Sequence, residues 1–210
     1  MSFSGIPDDA LEFYEGLEAD NSKAYWNDHK HVYESSVREP MQALCAELSG
    51  EFGEVYFFRP YRDVRFSKDK SPYKNHQGAT VGHHYLHIGA SGLFVAVGYH
   101  HMAPDQIARF REAVDHDHTG SELATLVDDL RGDDYVVGGD QLKTRPRGYP
   151  ADHPRLELLR HRSLAGWREF GAPDWLPTPK AASHVAAAWR GLAPLQSWLD
   201  AHVGPSREPR

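Results

Sequence analysis

Cysteine is nearly absent: the 210-residue chain carries only Cys45. An intrachain disulfide is therefore impossible, which fits a reducing compartment. Long hydrophobic runs are missing as well. The apolar run Leu93 to Val97 is far short of the ~20 residues that a bilayer span needs. The start, MSFSGIPDD, has neither a basic n-region nor an apolar h-region, so no signal peptide is expected and the expected location is cytoplasmic. There is no CxxC, no HExxH, no Gly-x4-Gly-Lys frame and no Gly-x-Ser-x-Gly elbow. These absences remove the familiar signatures of zinc ribbons, zincins, P-loop nucleotide sites and serine hydrolases. No internal repeat, low-complexity run or long linker divides the chain. Positive charge is scarce overall: the formal net charge is -7. That argues against broad binding to nucleic acid or to an anionic membrane, and neither is the expected partner.

What is present is a foldable core. Hydrophobic residues make up 40% and aromatics 11%. Pro7 is suited to open a helix, after which Ala10, Leu11, Phe13, Tyr14 and Leu17 share one face. Asn21 is placed to cap a second helix whose inner stripe is Tyr25, Trp26, His29, Val32 and Tyr33. Pro40 breaks that helix or starts a third, with Met41, Leu44, Cys45, Leu48 and Phe52 at helical spacing. Core packing is the plain explanation of these stripes, and Cys45 belongs to them as a buried filler.

Val55 to Phe58, Thr80 to Ile88 and Leu93 to His101 read as strands, the last two joined by a Gly89–Gly92 loop. Leu86, Ile88, Leu93, Val95 and Val97 would then share the core face. His83, Tyr85, His87, Phe94, Ala96, Gly98 and His100 would share the other, as a pocket floor or as a face covered by a helix. Further on, Pro104 opens a helix, and Thr119 to Glu122 has a capping-box pattern before a helix that ends at Gly132. Tyr135–Val137 and Gln141–Arg145 suggest a hairpin about Gly138-Gly139. A short helix is expected over Leu156–Leu159 and a strand over Leu164–Phe170. A long final helix passes through Pro194 and is expected to kink there. The expected fold class is α+β: one domain over residues 1–204, mainly an antiparallel sheet flanked by N-terminal helices and a long C-terminal helix. Residues 205–210 are expected to form a frayed tail.

Within this acidic chain, RPYRDVRFSKDKSPYK (residues 59–74) is locally basic. Six cations (Arg59, Arg62, Arg65, Lys68, Lys70 and Lys74) face only Asp63 and Asp69. Crowded like charges repel unless they stay wet or meet an anion. Arg62, Val64 and Phe66 alternate with Asp63 and Arg65, a period of two that fits a strand running into a loop. Two explanations stand open. One is a solvated loop whose cations pair internally with Asp63 and Asp69. The other is an anion site with Ser67 and Ser71 hydroxyls at hand.

RFSKDKSPYK, preceded by the FS-IP-x-x-A-L-x-F-Y start and followed by Gly-rich strands, resembles the family catalogued as domain of unknown function 2461. The resemblance also takes in Asn21–Trp26, Gly98, Lys143–Tyr149 and Asp152–Pro154. It implies a single α+β domain. It also implies that Arg65, Ser67, Lys68, Asp69, Lys70, Pro72, Tyr73 and Lys74 form one motif. It brings no established activity, cofactor or catalytic residue.

A second basic cluster comprises Lys143, Arg145, Arg147 and Arg155, with Tyr149, Asp152 and His153 between them. Either Arg147 and Arg155 pair with Asp152 and Glu157, or the cluster joins the first one at one concave site. In the second case Arg65 and Arg145 would hold a carboxylate or phosphate. Lys68, Lys70 and Lys74 would add charge, and Tyr73 or Tyr149 would stack or donate. His153 or His87 would titrate near neutral pH if a reaction occurs. Arg62 and Ser67 complete the candidate ligand-binding set. Ser67 as a lysine-activated nucleophile is disfavoured because the loop is too charged to be dry. Despite 14 histidines, no native metal site is expected. His83 and His87, for example, lie roughly 13 Å apart along a strand at about 3.3 Å per residue. The sequence names no cofactor and no oligomeric state. The leading expectation is a domain binding an anionic small molecule. The alternatives are an enzyme on a phosphorylated or carboxylated compound, and an interaction module for an acidic partner or single-stranded nucleic acid. In the last case Tyr61, Phe66 and Tyr73 would stack bases.

Overall fold

The computed structural model describes residues 2–65 and 67–208. Phe66, named above as a stacking candidate, lies outside the described residues. The first helix, α1 (Asp9–Ala19), buries Ala10, Phe13, Tyr14 and Leu17, the face that its periodicity predicts. Pro7 sits before it, and its carbonyl accepts the Ala10 N–H at 3.0 Å. Helix α2 (Lys23–Val32) is capped by Ser22, whose hydroxyl accepts the Tyr25 N–H. Asn21, the expected cap, is used elsewhere. Pro40 does not interrupt the helical course but lies in the first turn of a third helix, one of the two expected outcomes. A π-helical turn, Tyr33–Arg38, leads straight into α3 (Glu39–Phe52), with Pro40 in its first turn. The wider turn and the end position spare the missing proline N–H a partner. Cys45 is fully buried on α3, and desolvation pushes its thiol pKa up to about 12, so it is inert filler.

Six strands form one antiparallel sheet: β1 (Val55–Phe57), β2 (His76–Val81), β3 (His84–Gly89), β4 (Gly92–Tyr99), β5 (Val136–Gly138) and β6 (Leu164–Gly171). Their spatial order is β1-β2-β3-β4-β6-β5. The expected single strand Thr80–Ile88 is cut in two by a turn at Gly82-His83. Gly82 has φ +57°, and a Cβ there would meet the Phe52 carbonyl oxygen at 2.1 Å. The β3–β4 connection is tighter than expected: Gly89 and Gly92 belong to the strands, and only Ala90-Ser91 turn. Gln141–Arg145 is not a strand beside β5. β5 pairs instead with β6, Val136 opposite Trp167, and Gln141 makes only an isolated bridge to His161.

The remaining helices are α4 (Pro104–Asp115), α5 (Asp117–Gly132), α6 (Leu156–Leu159) and α7 (Lys180–His202). Thr119 lies inside α5 rather than capping it, and its hydroxyl donates to the Ala113 carbonyl. Pro194 lies within α7. The class is α+β, as expected. No helix among the described residues is long and apolar enough to cross a membrane.

The chain divides into two compact units: Met1–Val95 with Glu169–Ala188, and Ala96–Arg168 with Trp189–Arg210. The cuts fall inside β4, β6 and α7, so no linker marks them. In the first unit α1 and α3 pack on β3 and β2, burying Ala79, Val81, Leu86, Ile88, Leu93 and Val95. An aromatic group of Phe13, Tyr14, Trp26, Tyr33 and Tyr73 adjoins them, with Trp26 stacked on Tyr73 at 4.2 Å and 7°. In the second unit Phe110, Leu123, Leu192 and Trp198 anchor the core. There, residues 205–207 are tied to α4: Arg109 donates to the Pro205 carbonyl, and Asp105 accepts from Ser206 and from the Arg207 N–H.

Trp26 is 3% exposed. Trp26→Ala should destabilise the fold by about 3–5 kcal/mol in denaturant titration. A loss below about 1 kcal/mol would mean that the indole is not core.

Candidate functional site

The basic stretch is a hairpin with an elaborated tip. Past β1 and before β2 its arms stay paired: the Arg62 N–H donates to the Pro72 carbonyl and the Lys74 N–H to the Pro60 carbonyl, with Tyr61 opposite Tyr73. The register slips between these pairs and the β1–β2 ladder. Tyr61↔Tyr73 and Phe57↔Ala79 leave two more residues on the β2 side than on the β1 side. The buried Gln77 side chain fills the gap. Its Nε2 donates to the Phe58 and Gly78 carbonyls, and its Oε1 accepts from the Tyr33 hydroxyl at 2.7 Å. This is a bulge with its orphan carbonyl satisfied from the side.

Asn21 holds the base of the hairpin. Its Oδ1 accepts the Tyr73 N–H at 3.1 Å and its Nδ2 donates to the Tyr73 carbonyl at 3.2 Å. The Tyr73 ring, 4% exposed, is covered by Trp26. Tyr73 is thus a structural anchor, not a surface ring that could stack on a ligand. Tyr61, 49% exposed, remains at the surface.

At the tip the two aspartates organise the cations. Asp63 takes the fork of Arg65 through Nε at 3.0 Å and Nη2 at 2.6 Å. Asp69 accepts from Arg62, from the Ser71 hydroxyl and from the Ser71 N–H. These bonds hold both carboxyls below the usual aspartate range, through Arg65 for Asp63 and chiefly through Ser71 for Asp69. Lys70 donates to the Val64 carbonyl at 2.9 Å. Ser67 is half-buried, with its N–H directed to the Val64 carbonyl. Among the described residues Arg59, Lys68 and Lys74 have no carboxylate partner.

Lys74 differs from the other two in being partly buried. Its ammonium lies over the Phe58 ring, 5.3 Å from the centroid. Desolvation, then the neighbouring Arg59, lowers its pKa. Past Phe58 the outer face of β2–β4 carries Tyr85, His76, His87 and Phe94. His87 is stacked on Phe94 at 4.6 Å and 8°, and His76 is 4.6 Å from His87. Gly78 makes the room, because a Cβ there would meet the Tyr85 hydroxyl at 2.8 Å. Desolvation, then Lys74, lowers His76. Desolvation, then His76, drives His87 down to about 4. His87 therefore does not titrate near neutral pH, contrary to expectation. It stays neutral, with Nδ1 3.2 Å from the Tyr85 hydroxyl.

The second cluster lies in the second unit, and two of its cations, Arg145 and Arg155, hold backbone. Arg155 donates to the Val114 and Asp115 carbonyls at the end of α4 and to Ser121. It does not pair with Asp152 or Glu157; Glu157 pairs with Arg131. The Arg155 N–H donates to His153 Nδ1, so the other ring nitrogen carries the proton toward Asp115 at 3.1 Å. Arg145 donates to the Tyr149 carbonyl. Burial, then Asp115, raises the Tyr149 hydroxyl pKa. Lys143 contributes its backbone carbonyl to Arg160. No three His, Cys, Asp or Glu side chains among the described residues form a metal-binding group.

Sequence reasoning passed over Phe58 and His76. The alternation His76-x-Gly78-x-Thr80 is the sequence signal for His76, and it falls outside a strand taken to begin at Thr80.

A family profile described as "Conserved hypothetical protein (DUF2461)" matches residues 9–198, and the chain belongs to that family. Comparison with curated proteins and with solved structures found no match.

Two outcomes follow from this geometry. Asn21→Ala should cost about 1–3 kcal/mol, because it strips both backbone partners from Tyr73, and should speed exchange of the Tyr73 amide. Unchanged exchange would remove the clamp. His87 gains no proton in the folded state until well below its ordinary 6.5, so the unfolded chain binds more protons between pH 6.5 and about 4. Stability should therefore fall as pH drops through that window, and less steeply in His87→Phe. An NMR titration placing His87 near 6.5 would refute the assignment.

Proposed function

We propose that this DUF2461 chain is a binding domain for a phosphate- or carboxylate-bearing ligand, seated at Lys74 and Arg59 beside the Arg62–Lys70 tip. One observation carries the reading. Lys74 is partly buried, has no carboxylate partner among the described residues, and is lowered by desolvation and by Arg59. A cation held in that state is stabilised by whatever anion arrives. Surface ion pairs such as Arg65–Asp63 can exchange partners at little cost, so the tip is able to follow the ligand. Lys68, exposed and unpaired among the described residues, adds charge. Tyr61 and the rings beside Lys74 give the anion an apolar flank. Lys143, Arg145, Tyr149 and His153 belong to the second unit, and the reading does not need them.

A thermal-shift screen of inorganic phosphate, nucleotides and small carboxylates tests the reading. A ligand at a hundred times its Kd should stabilise the wild type by about 2.7 kcal/mol. The shift should vanish in Lys74→Ala and shrink in Arg59→Ala. Equal stabilisation of wild type and Lys74→Ala would overturn the assignment.

A further inference from the structure

The first unit ends its sheet on an edge whose outward backbone groups are free among the described residues, and that edge runs toward the cations. β1 is terminal in the strand order, with only β2 beside it. The Gly82 N–H donates to the Glu54 carbonyl and the Phe58 N–H to the Gly78 carbonyl. In an antiparallel ladder these bonds alternate, so Glu54, Tyr56 and Phe58 face β2. The N–H and C=O groups of Val55 and Phe57 then point away from the sheet. Among the described residues nothing bonds to them.

Proteins usually blunt such an edge with lysine, proline or an inward charge. Val55-Tyr56-Phe57 is short and runs into the bulge at Gln77, but it carries no lysine, proline or inward charge, and it displays apolar surface: Val55 is 42% exposed and Tyr56 63%. The ends of the strand differ in sign. Glu54 precedes it. Arg59 follows it, with Lys74 alongside over Phe58.

We propose that β1 accepts an extended peptide from a partner protein as an added strand, with acidic residues at the end that reaches Arg59 and Lys74. Backbone bonds to Val55 and Phe57 would give the strand its register, and apolar side chains would cover Val55 and Tyr56. The carboxylates would supply the counter-charge that Lys74 lacks, so the proposal rests on the anion-binding reading and specifies its ligand. The free backbone edge favours a peptide over a nucleic acid, which has no use for those donors and acceptors.

The test uses a labelled peptide alternating valine and threonine with a run of glutamates at one end, and a control with lysines in place of the glutamates. Fluorescence anisotropy should show binding of the glutamate peptide only, with slower amide exchange at Val55 and Phe57. Val55→Pro removes an outward N–H and no β1–β2 bond. It should keep the wild-type melting temperature and phosphate response, yet bind the peptide about tenfold more weakly, the equivalent of one net hydrogen bond. Lys74→Ala should lose both the phosphate response and the preference for glutamate. Three results would overturn strand addition: undiminished peptide binding by Val55→Pro, equal binding of both peptides, or binding of oligothymidylate in place of either. A phosphate response without peptide binding would remove the added strand alone. No response to phosphate or to peptide would remove the anion site with it.

Discussion

The carboxamide of Asn21 bonds to both backbone groups of one residue, Tyr73, while Trp26 lies flat on that residue's ring. These contacts join the helical layer of the first unit to the hairpin that carries the cations. A loop with six positive charges has little reason to stay in one place, because its own electrostatics favour expansion. The hydrogen bonds, each worth about 0.5–1.5 kcal/mol net, and the burial of two large rings oppose that expansion. Phe58, Lys74 and the bulge at Gln77 take their positions from that anchorage. So does the spacing between the tip and the sheet.

The charge left over is unevenly distributed. Where the loop is exposed, its aspartates neutralise Arg62 and Arg65 locally, and such contacts are cheap to make and to break. Where it meets the sheet, no carboxylate accompanies Lys74 among the described residues, and beside it the lowered imidazole of His76 in turn adjoins that of His87. A buried pair would have to repay its own desolvation, whereas a lone cation at a half-dry edge remains responsive to an incoming charge. The asymmetry separates a part of the loop that keeps its shape from a part able to recognise something.

Much of this architecture was legible in the residues. The stripes of α1 and α3 and the core face of β3 and β4 followed from spacing, and the short α6 lies where it was expected, whereas within α2 only Trp26 of the expected stripe is buried. The misreadings share a cause: a local rule was outvoted by a distant partner. Asn21 is a good helix cap by type, but Tyr73, 52 positions away, claimed its side chain and left the cap to Ser22. Val136–Gly138 looked toward its sequence neighbours for a pairing partner and found β6 instead. The cationic character of residues 59–74 was plain from composition. Which cation would be partly dried and, among the described residues, left without a carboxylate was not, because that depends on the bulge at Gln77 and on the small residue at Gly78. The two-unit division was illegible for a simpler reason: its boundaries run through regular elements, where composition does not change.

That division has a consequence for how the molecule is made. The chain leaves the first unit at Val95, builds most of the second, and returns at Glu169 before leaving again at Ala188. Neither unit is a contiguous stretch of polypeptide. During synthesis the sheet of the first unit must wait for β6 to emerge, with β4 lacking one neighbour until then. Neither half can therefore be cut out or exchanged as a single continuous segment.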